Sequence, residues 1–338
     1  MGGFGQITLS LHFLGGRPDA VVVARPHRRA RLLLLVACTS LLGCATAKGQ
    51  AQAPARLRDT PIHSWAMQLD GIDLQRLART ALDLIVVDRT RGARGAQPFT
   101  RPELSALRSS RAGAPRVLLA YVSVGQVETY REHWNPRWHR ERPDWLGPED
   151  PDWPKHHEVR YWLPGWESLV LEEVRRAATQ GFDGVYLDRV DAFEVWSQHR
   201  RELAPRTARR AMAQLVSKVA AAGRAVDPRF VVVIQNGTEL TREPGFWSSC
   251  DGVSAENLLL DDTGAPLSDD VTGPILEDLA RTRAAGRVAL AVDYPRTGTA
   301  RKEVLELRQR GIVPFVASFG LATLDLHDLH DLHDLEQR

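Results

Sequence analysis

Asp188 and Glu256 each close a short apolar run, GFDGVYLD at 181–188 and DGVSAE at 251–256. A long stretch with helical spacing and a third apolar run, FVVVIQN at 230–236, lie between them. Carboxylates carried to the ends of two strands of one α/β chain match what glycoside cleavage requires. One acts as nucleophile or base, and the other delivers a proton to the departing oxygen. Strand ends also collect Asp because it suits turns, so the weight of this pair depends on its company along the chain.

That company is a series of strand-like runs: WAMQLD (65–70), LDLIVVD (82–88), RVLLAYVSVG (116–125), FDGVYLD (182–188), FVVVIQN (230–236), DGVSAEN (251–257), RVALAVDY (287–294) and GIVPFVASF (311–319). The middle runs are nearly continuous in apolar, β-branched residues, as strands buried on both faces are. Helical patterns separate them. Apolar residues at helical spacing fill 72–81, and Thr100 with Glu103 forms a capping box ahead of the next helix. The segments 167–181, 208–223, 274–286 and 301–311 each close on a Gly, the common residue just past a helix end. Eight strands alternating with helices predict an α/β fold, a single-domain (β/α)8 TIM-like barrel over 62–322. An open doubly wound sheet would carry a G-x-G-x-x-G phosphate loop after an early strand, and none is present.

In such a barrel the strand C-terminal ends form the active face. Taken in order they carry Gln68 and Asp70, Asp88, Tyr121 and Ser123, Asp188 and Asp191, Gln235 and Asn236, Glu256 and Asn257, then Asp293 and Tyr294. Glu128, just past the third strand, and Trp162, in the loop that follows, complete the predicted substrate-binding set. Without His or Lys at any strand end, the mouth argues against a zinc hydrolase, a Ser-His-Asp triad and a Schiff-base lysine. A G-x-S-x-G elbow is missing too, which disfavours an esterase or deacetylase. Asp188, Asp191 and Asp293 make a Mg²⁺ alternative, since hard cations take carboxylates. With no phosphate-binding loop beside them, the reading assigns no metal and no cofactor. The same residues predict a negative mouth on a chain whose net charge is +2.

The stretch 126–166 interrupts the regular spacing and holds six of the nine tryptophans, Trp134, Trp138, Trp145, Trp153, Trp162 and Trp166. Flat rings at a catalytic mouth stack on sugars, whereas a long insertion also needs a core of its own; the expectation divides the six evenly between these uses. The repeat LDLHDLHDLHDL at 324–335 has a period of three, which no amphipathic helix shares, so 323–338 reads as a low-complexity tail. A near-neutral balance, 25% charged and 43% hydrophobic, asks for no nucleic-acid partner. Nothing in the pattern demands a second subunit, and a monomer is expected.

The N-terminus reads as an export signal over 1–43. Arg25, Arg28, Arg29 and Arg31 precede the apolar run LLLLVACTSLLG at 32–43. Leu41-Leu42-Gly43-Cys44 has the form of a bacterial lipobox, so Cys44 is the expected lipidation site, anchoring the exported protein to a membrane through the flexible linker 44–61. Residues 1–24 precede any ordinary signal and read as an over-extended gene start. Cys250 is left as a lone thiol at the start of a strand, expected to be a small buried hydrophobe.

Several blocks give the chain a family resemblance: WAMQLD, DLIVVD, LLAYVSVGQVETYREHW (118–134), YWLPGW (161–166), GFDGVYLDRVDAF (181–193) and SAENLL (254–259). It resembles glycoside hydrolase family 114, the endo-α-1,4-polygalactosaminidases and their bacterial relatives. The resemblance implies a (β/α)8-like fold whose catalytic Asp ends the fourth strand and whose catalytic Glu ends the sixth, which fall on Asp188 and Glu256. It also implies hydrolysis of an α-linked amino-sugar polysaccharide, polygalactosamine or galactosaminogalactan-like. By analogy with other retaining barrels, Asp188 attacks and Glu256 protonates, with the reverse assignment left open. The family's third-strand motif G-E-x-E reads here Gly125-Gln126-Val127-Glu128, one charge fewer. A catalytically weakened glycan-binding lipoprotein and a hydrolase of a neutral α-glycan stand as the alternatives.

Overall fold

The apolar runs become parallel strands that pair in chain order, each too apolar on both faces to sit anywhere but inside. The computed structural model describes residues 56–317, apart from 92–96, 109–112, 114, 262–263 and 295–299. The signal region with Cys44, most of the linker and the Leu-His-Asp tail lie outside the described residues. The first strands are β1 (Trp65–Gln68), β2 (Leu84–Val87) and β3 (Val117–Ser123). The chain then leaves the series for β4 (Gln126–Glu128), β5 (Leu146–Glu149) and β6 (His156–Val159), a separate antiparallel sheet. It returns with β7 (Gly184–Asp188), β8 (Val231–Gln235), β9 (Gly252–Glu256), β10 (Val288–Asp293) and β11 (Val313–Val316).

The eight main strands form one parallel sheet. Its two edges meet where Trp65 Nε1 donates to Val313 O at 3.0 Å and the Trp65 ring lies 5.4 Å from that of Phe315, leaving a nearly closed (β/α)8 barrel. Trp65 and Tyr186, both fully buried with ring centroids 5.9 Å apart, are among its largest core side chains.

The helices between the strands start and stop for local reasons. They are α1 (Arg56–Asp59), α2 (Leu74–Ala78), α3 (Arg101–Leu107), α4 (Pro164–Gln180), α5 (Ala192–Glu194), α6 (Pro205–Arg224), α7 (Asp269–Ala284) and α8 (Ala300–Gln309). Asp73 caps α2 by accepting from the amides of Gln75 and Arg76, and the Thr100–Glu103 capping box opens α3. Gly181, at φ 111°, closes α4 in a conformation other residues resist. Two expectations are corrected. Gly223 lies inside α6, where an added Cβ would come within 2.1 Å of the Phe230 ring, so it serves close packing rather than capping. α7 begins at Asp269 and carries Pro274 within it, with two acidic residues at its positive end, whereas the sequence pattern had started it at the proline. Leu57 of α1 is buried, so the last residues of the presumed linker form a helical turn on the barrel.

Aspartates clasp the strand starts. Asp83, before β2, accepts the amides of His63 and Ser64; Asp183, before β7, accepts that of Leu118; Asp251, before β9, accepts that of Val232. Asp183 also pairs with Arg108, and Asp251 with Arg224 and Arg287. These buried charges are compensated by both cations and amides, the condition under which burial is tolerated.

The excursion between β3 and α4 is built on its own aromatic core. Trp134, Trp145 and Trp166 are buried, Trp138 sets its edge against both Trp134 and Trp145, and Trp162 packs on Tyr161 and Trp196. Trp153 alone of the six stands open, 52% exposed, so the insertion uses more tryptophan for its core than the even division expected. Cys250 is fully buried, and burial pushes its thiol up to about 12. No helix among the described residues is long and apolar enough to cross a membrane.

Candidate active site

Three adjacent strands, β7, β8 and β9, end on Asp188, Gln235 and Glu256, and each is followed by a non-glycine residue in the left-handed region. Arg189 has φ 58°, Asn236 φ 59° and Asn257 φ 51°. Asn tolerates that conformation and Arg does not, at a cost of roughly 1–2 kcal/mol. Such strain persists where surrounding structure enforces it, and it clusters at functional sites. Here it bends the backbone immediately after each of the three polar side chains.

Glu256 is held on three sides. Tyr294 donates its hydroxyl to Oε1 at 2.5 Å, Gln235 Nε2 donates to Oε2 at 2.6 Å, and the Glu256 amide donates to Asn236 Oδ1 at 2.9 Å. Burial first, and then the Asp188 charge, push its carboxyl up to about 7, against the lowering effect of the Tyr294 bond. Asp188 accepts the Tyr121 hydroxyl on Oδ2 at 2.5 Å and the Arg189 amide on Oδ1 at 2.7 Å. Burial raises its pKa as well, while the Tyr121 bond and the Arg189 charge oppose the rise. The two carboxyls end parallel strands of one sheet, with β8 between them, and the Asp188 charge acts on Glu256.

Around this pair the other predicted residues divide. Asp191 sits just past β7, and its Oδ1 is buried without a hydrogen-bond partner among the described residues; Gln235 Oε1 and Asn257 Oδ1 are in the same condition. Buried acceptors of this kind call for a donor. Asp88 and Glu128 both pair with Arg131, whose guanidinium lies over the Tyr121 ring at 5.6 Å. They support Tyr121 from behind through that cation. Ser123 Oγ donates to Gln126 O, and Gln68 Nε2 donates to the carbonyls of Asp70 and Gly71, so both brace turns. Asp70 is exposed and accepts the Gly71 amide. Asp293 turns inward, with Oδ1 accepting the amides of Leu258 and Leu259. Trp162 packs edge to face on Tyr161 and Trp196.

Several residues at this mouth escape a strand-end reading. Arg131 and Arg189 bring positive charge to a mouth whose strand ends carry neither His nor Lys. Arg189 also approaches Asp150 at 3.7 Å, and Gln126 Nε2 donates to the same carboxylate at 2.5 Å. A carboxylate at position 126 would face that of Asp150, whereas the Gln126 amide donates to it. Glu194 of α5 lies against Glu239, and burial with the Glu239 and Asp191 charges pushes it up to about 7. The clue to this acidic pair was present in the sequence only as two carboxylates shortly after two strand ends.

Two carboxylates on strand ends of a (β/α)8 barrel, one tuned towards neutrality, define a glycoside hydrolase. The chain belongs to glycoside hydrolase family GH114, whose sequence model matches residues 45–328. It is 32% identical over 312 residues to a protein of Deinococcus radiodurans, covering 88% of this chain and 97% of that one. A Thermotoga maritima protein is 31% identical over 267 residues, covering 76% and 81%. In three dimensions it is similar to the glycoside hydrolase domain of PelA from Pseudomonas aeruginosa, with TM-score 0.60 and 21% identity over 78% of this chain and 98% of that one. It is also similar to Ega3 of Aspergillus fumigatus, solved in complex with galactosamine, with TM-score 0.59 and 16% identity over 80% and 97%.

Proposed function

We propose that the enzyme cleaves an α-linked amino-sugar polysaccharide, polygalactosamine or galactosaminogalactan-like, with retention of configuration. The observation that carries this is the split between two carboxyls of one mouth. Burial raises both carboxyls; the Tyr121 hydroxyl and the Arg189 charge and amide oppose the rise at Asp188, whereas the Asp188 charge adds to it at Glu256, which is pushed up to about 7. Asp188 attacks the anomeric carbon as the glycosidic C–O bond breaks, and Glu256 gives its proton to the leaving oxygen. Glu256, now ionised, takes a proton from water as that water displaces Asp188 and releases the sugar.

An ammonium or hydroxyl on the sugar suits the unpartnered oxygens of Asp191, Gln235 and Asn257. The galactosamine bound in the Ega3 structure supports an amino sugar as the ligand class. Arg131 offsets Asp88 and Glu128, which keeps a neutral α-glycan as the second reading. The test is to incubate residues 45–338 with partly deacetylated galactosaminogalactan, size the products and follow the anomeric proton by NMR. Release of α-anomers from the deacetylated polymer is the expected result. Initial β-anomers would overturn retention, and cleavage confined to neutral α-glucans would overturn the amino-sugar assignment.

Export and a lipid on Cys44 belong to the same proposal, with the barrel acting as a monomer tethered to the membrane. Two or three acyl chains make such an anchor stable where one is marginal. Cys44→Ala should abolish lipid labelling and release the protein from membranes without changing the turnover of residues 45–338. Protein from the native host that still carries residues 1–43 would exclude this processing.

A further inference from the structure

Behind the mouth, Asp293 and Glu303 are buried close enough for their carboxyl groups to share a hydrogen bond. Asp293, at the end of β10, is 1% exposed, and Glu303, on α8, is 6% exposed. Asp293 Oδ2 and both Glu303 oxygens have no other hydrogen-bond partner among the described residues. Two ionised carboxylates in contact, with no cation beside them among the described residues, would repel strongly, so the stable arrangement holds one proton between them. Asp293 Oδ1 is meanwhile committed to the amides of Leu258 at 2.7 Å and Leu259 at 3.4 Å. Those amides follow Glu256 and Asn257 directly. The Asn257 amide donates to Val292 O at 3.0 Å, and Tyr294, next to Asp293, donates to Glu256.

We propose that Glu303 is a positioning residue for the catalytic acid: in its protonated form it donates to Asp293 Oδ2, fixing the clasp that aims Glu256 and Tyr294. This rests on the reading of Glu256 as the acid. Glu303 touches no sugar and acts only through Asp293. The described charges that act on it are Asp293, from the facing strand, and Glu306, one turn along its own helix. Both are negative, and with burial they hold its carboxyl up to about 9. An unfolded Glu ionises near pH 4.3. Between those values the folded protein keeps a proton that the unfolded chain has lost, so the contribution of Glu303 to stability falls as pH rises and is gone above about 9.

Two variants of similar size separate the hydrogen bond from mere packing. Glu303→Gln keeps a donor that cannot ionise, and Glu303→Met keeps volume without a donor. Urea unfolding needs no substrate. Through pH 6–9 the folding constant of the wild type should fall relative to that of Glu303→Gln by about tenfold per pH unit. Amide exchange at Leu258 and Leu259 should quicken by roughly tenfold or more in Glu303→Met and stay protected in Glu303→Gln. On partly deacetylated galactosaminogalactan, Glu303→Met should lose about tenfold in kcat at unchanged KM, and Glu303→Gln should retain the wild-type value at pH 7. A stability difference independent of pH, or Met and Gln variants alike in exchange, would overturn the proposal. If the wild type leaves this polymer intact, the substrate assignment fails, while the urea and exchange series still decide the role of Glu303.

Discussion

Tyr294 and Glu256 are joined by a 2.5 Å hydrogen bond that crosses from β10 to β9. A hydroxyl donated to a carboxylate favours its ionised form, so this bond restrains a pKa that burial drives upward. The opposite carboxyl has the matching arrangement, since Tyr121 donates to Asp188 at the same distance.

Removing either hydroxyl should move one limb of the pH–rate profile and leave the other in place. Tyr294→Phe frees Glu256 to climb further above 7, shifting the alkaline limb of kcat/KM up by about one pH unit. Tyr121→Phe should raise the acidic limb instead. Profiles of the two variants shifted in the same limb would show that the roles are not divided as described.

For the wild type, the same assignment predicts a bell. Activity rises as Asp188 loses its proton and falls as Glu256 loses its own near 7. A rate that stays on its plateau through pH 9 would remove Glu256 from the acid role.

Asp188→Asn and Glu256→Gln nearly preserve volume, so both should fold while kcat drops by roughly three or more orders of magnitude. Asp191→Asn should cost much less, because Asp191 is placed to hold the sugar. Retention of more than about a tenth of the activity by Asp188→Asn would refute attack by that residue.

Glu256 also couples function to stability. Its folded pKa, about 7, exceeds the ordinary carboxyl value, so its contribution is complete at low pH and lost as pH rises through 7. Glu256→Gln cannot ionise and should be more stable than the wild type at pH 8–9 by about 1–3 kcal/mol, with the two converging below pH 5. Urea midpoints across that range decide the matter.

At the other rim, Asp251→Ala should be costly. It strips Val232 of its amide acceptor and leaves Arg224 and Arg287 without this carboxylate, a loss of about 3–5 kcal/mol. The folded fraction should retain wild-type kcat and KM, and a lowered kcat per folded molecule would mean that the clasp reaches the mouth.

The strands were legible because their signal is redundant. Leu84–Val87 and Val231–Gln235 are buried along their whole length, and such runs announce themselves by composition. Asp188 and Glu256 were found because strand ends are countable positions in a barrel. The small sheet β4–β6 was not visible, since His156–Val159 and Leu146–Glu149 are short and partly polar, and only their pairing makes them strands. Arg131 and Arg189 escaped for another reason. Long side chains reach the mouth from loops, and nothing in local spacing says where their guanidinium groups end. The inward turn of Asp293 was equally hidden, because it is set by the amides of Leu258 and Leu259, which follow a different strand.

The aspartate clasps and the carboxyls of Asp188 and Glu256 occupy opposite ends of the same barrel, and this separation has a consequence for redesign. The strand starts are tied together where Asp83, Asp183 and Asp251 bind neighbouring backbone, and the candidate site is built at the strand ends. A library that randomises the half-buried positions 191, 194, 239, 259 and 261 leaves every clasp and the core in place. Its members inherit a foldable scaffold while sampling different sugars, which makes this barrel a suitable parent for redirecting specificity by loop exchange.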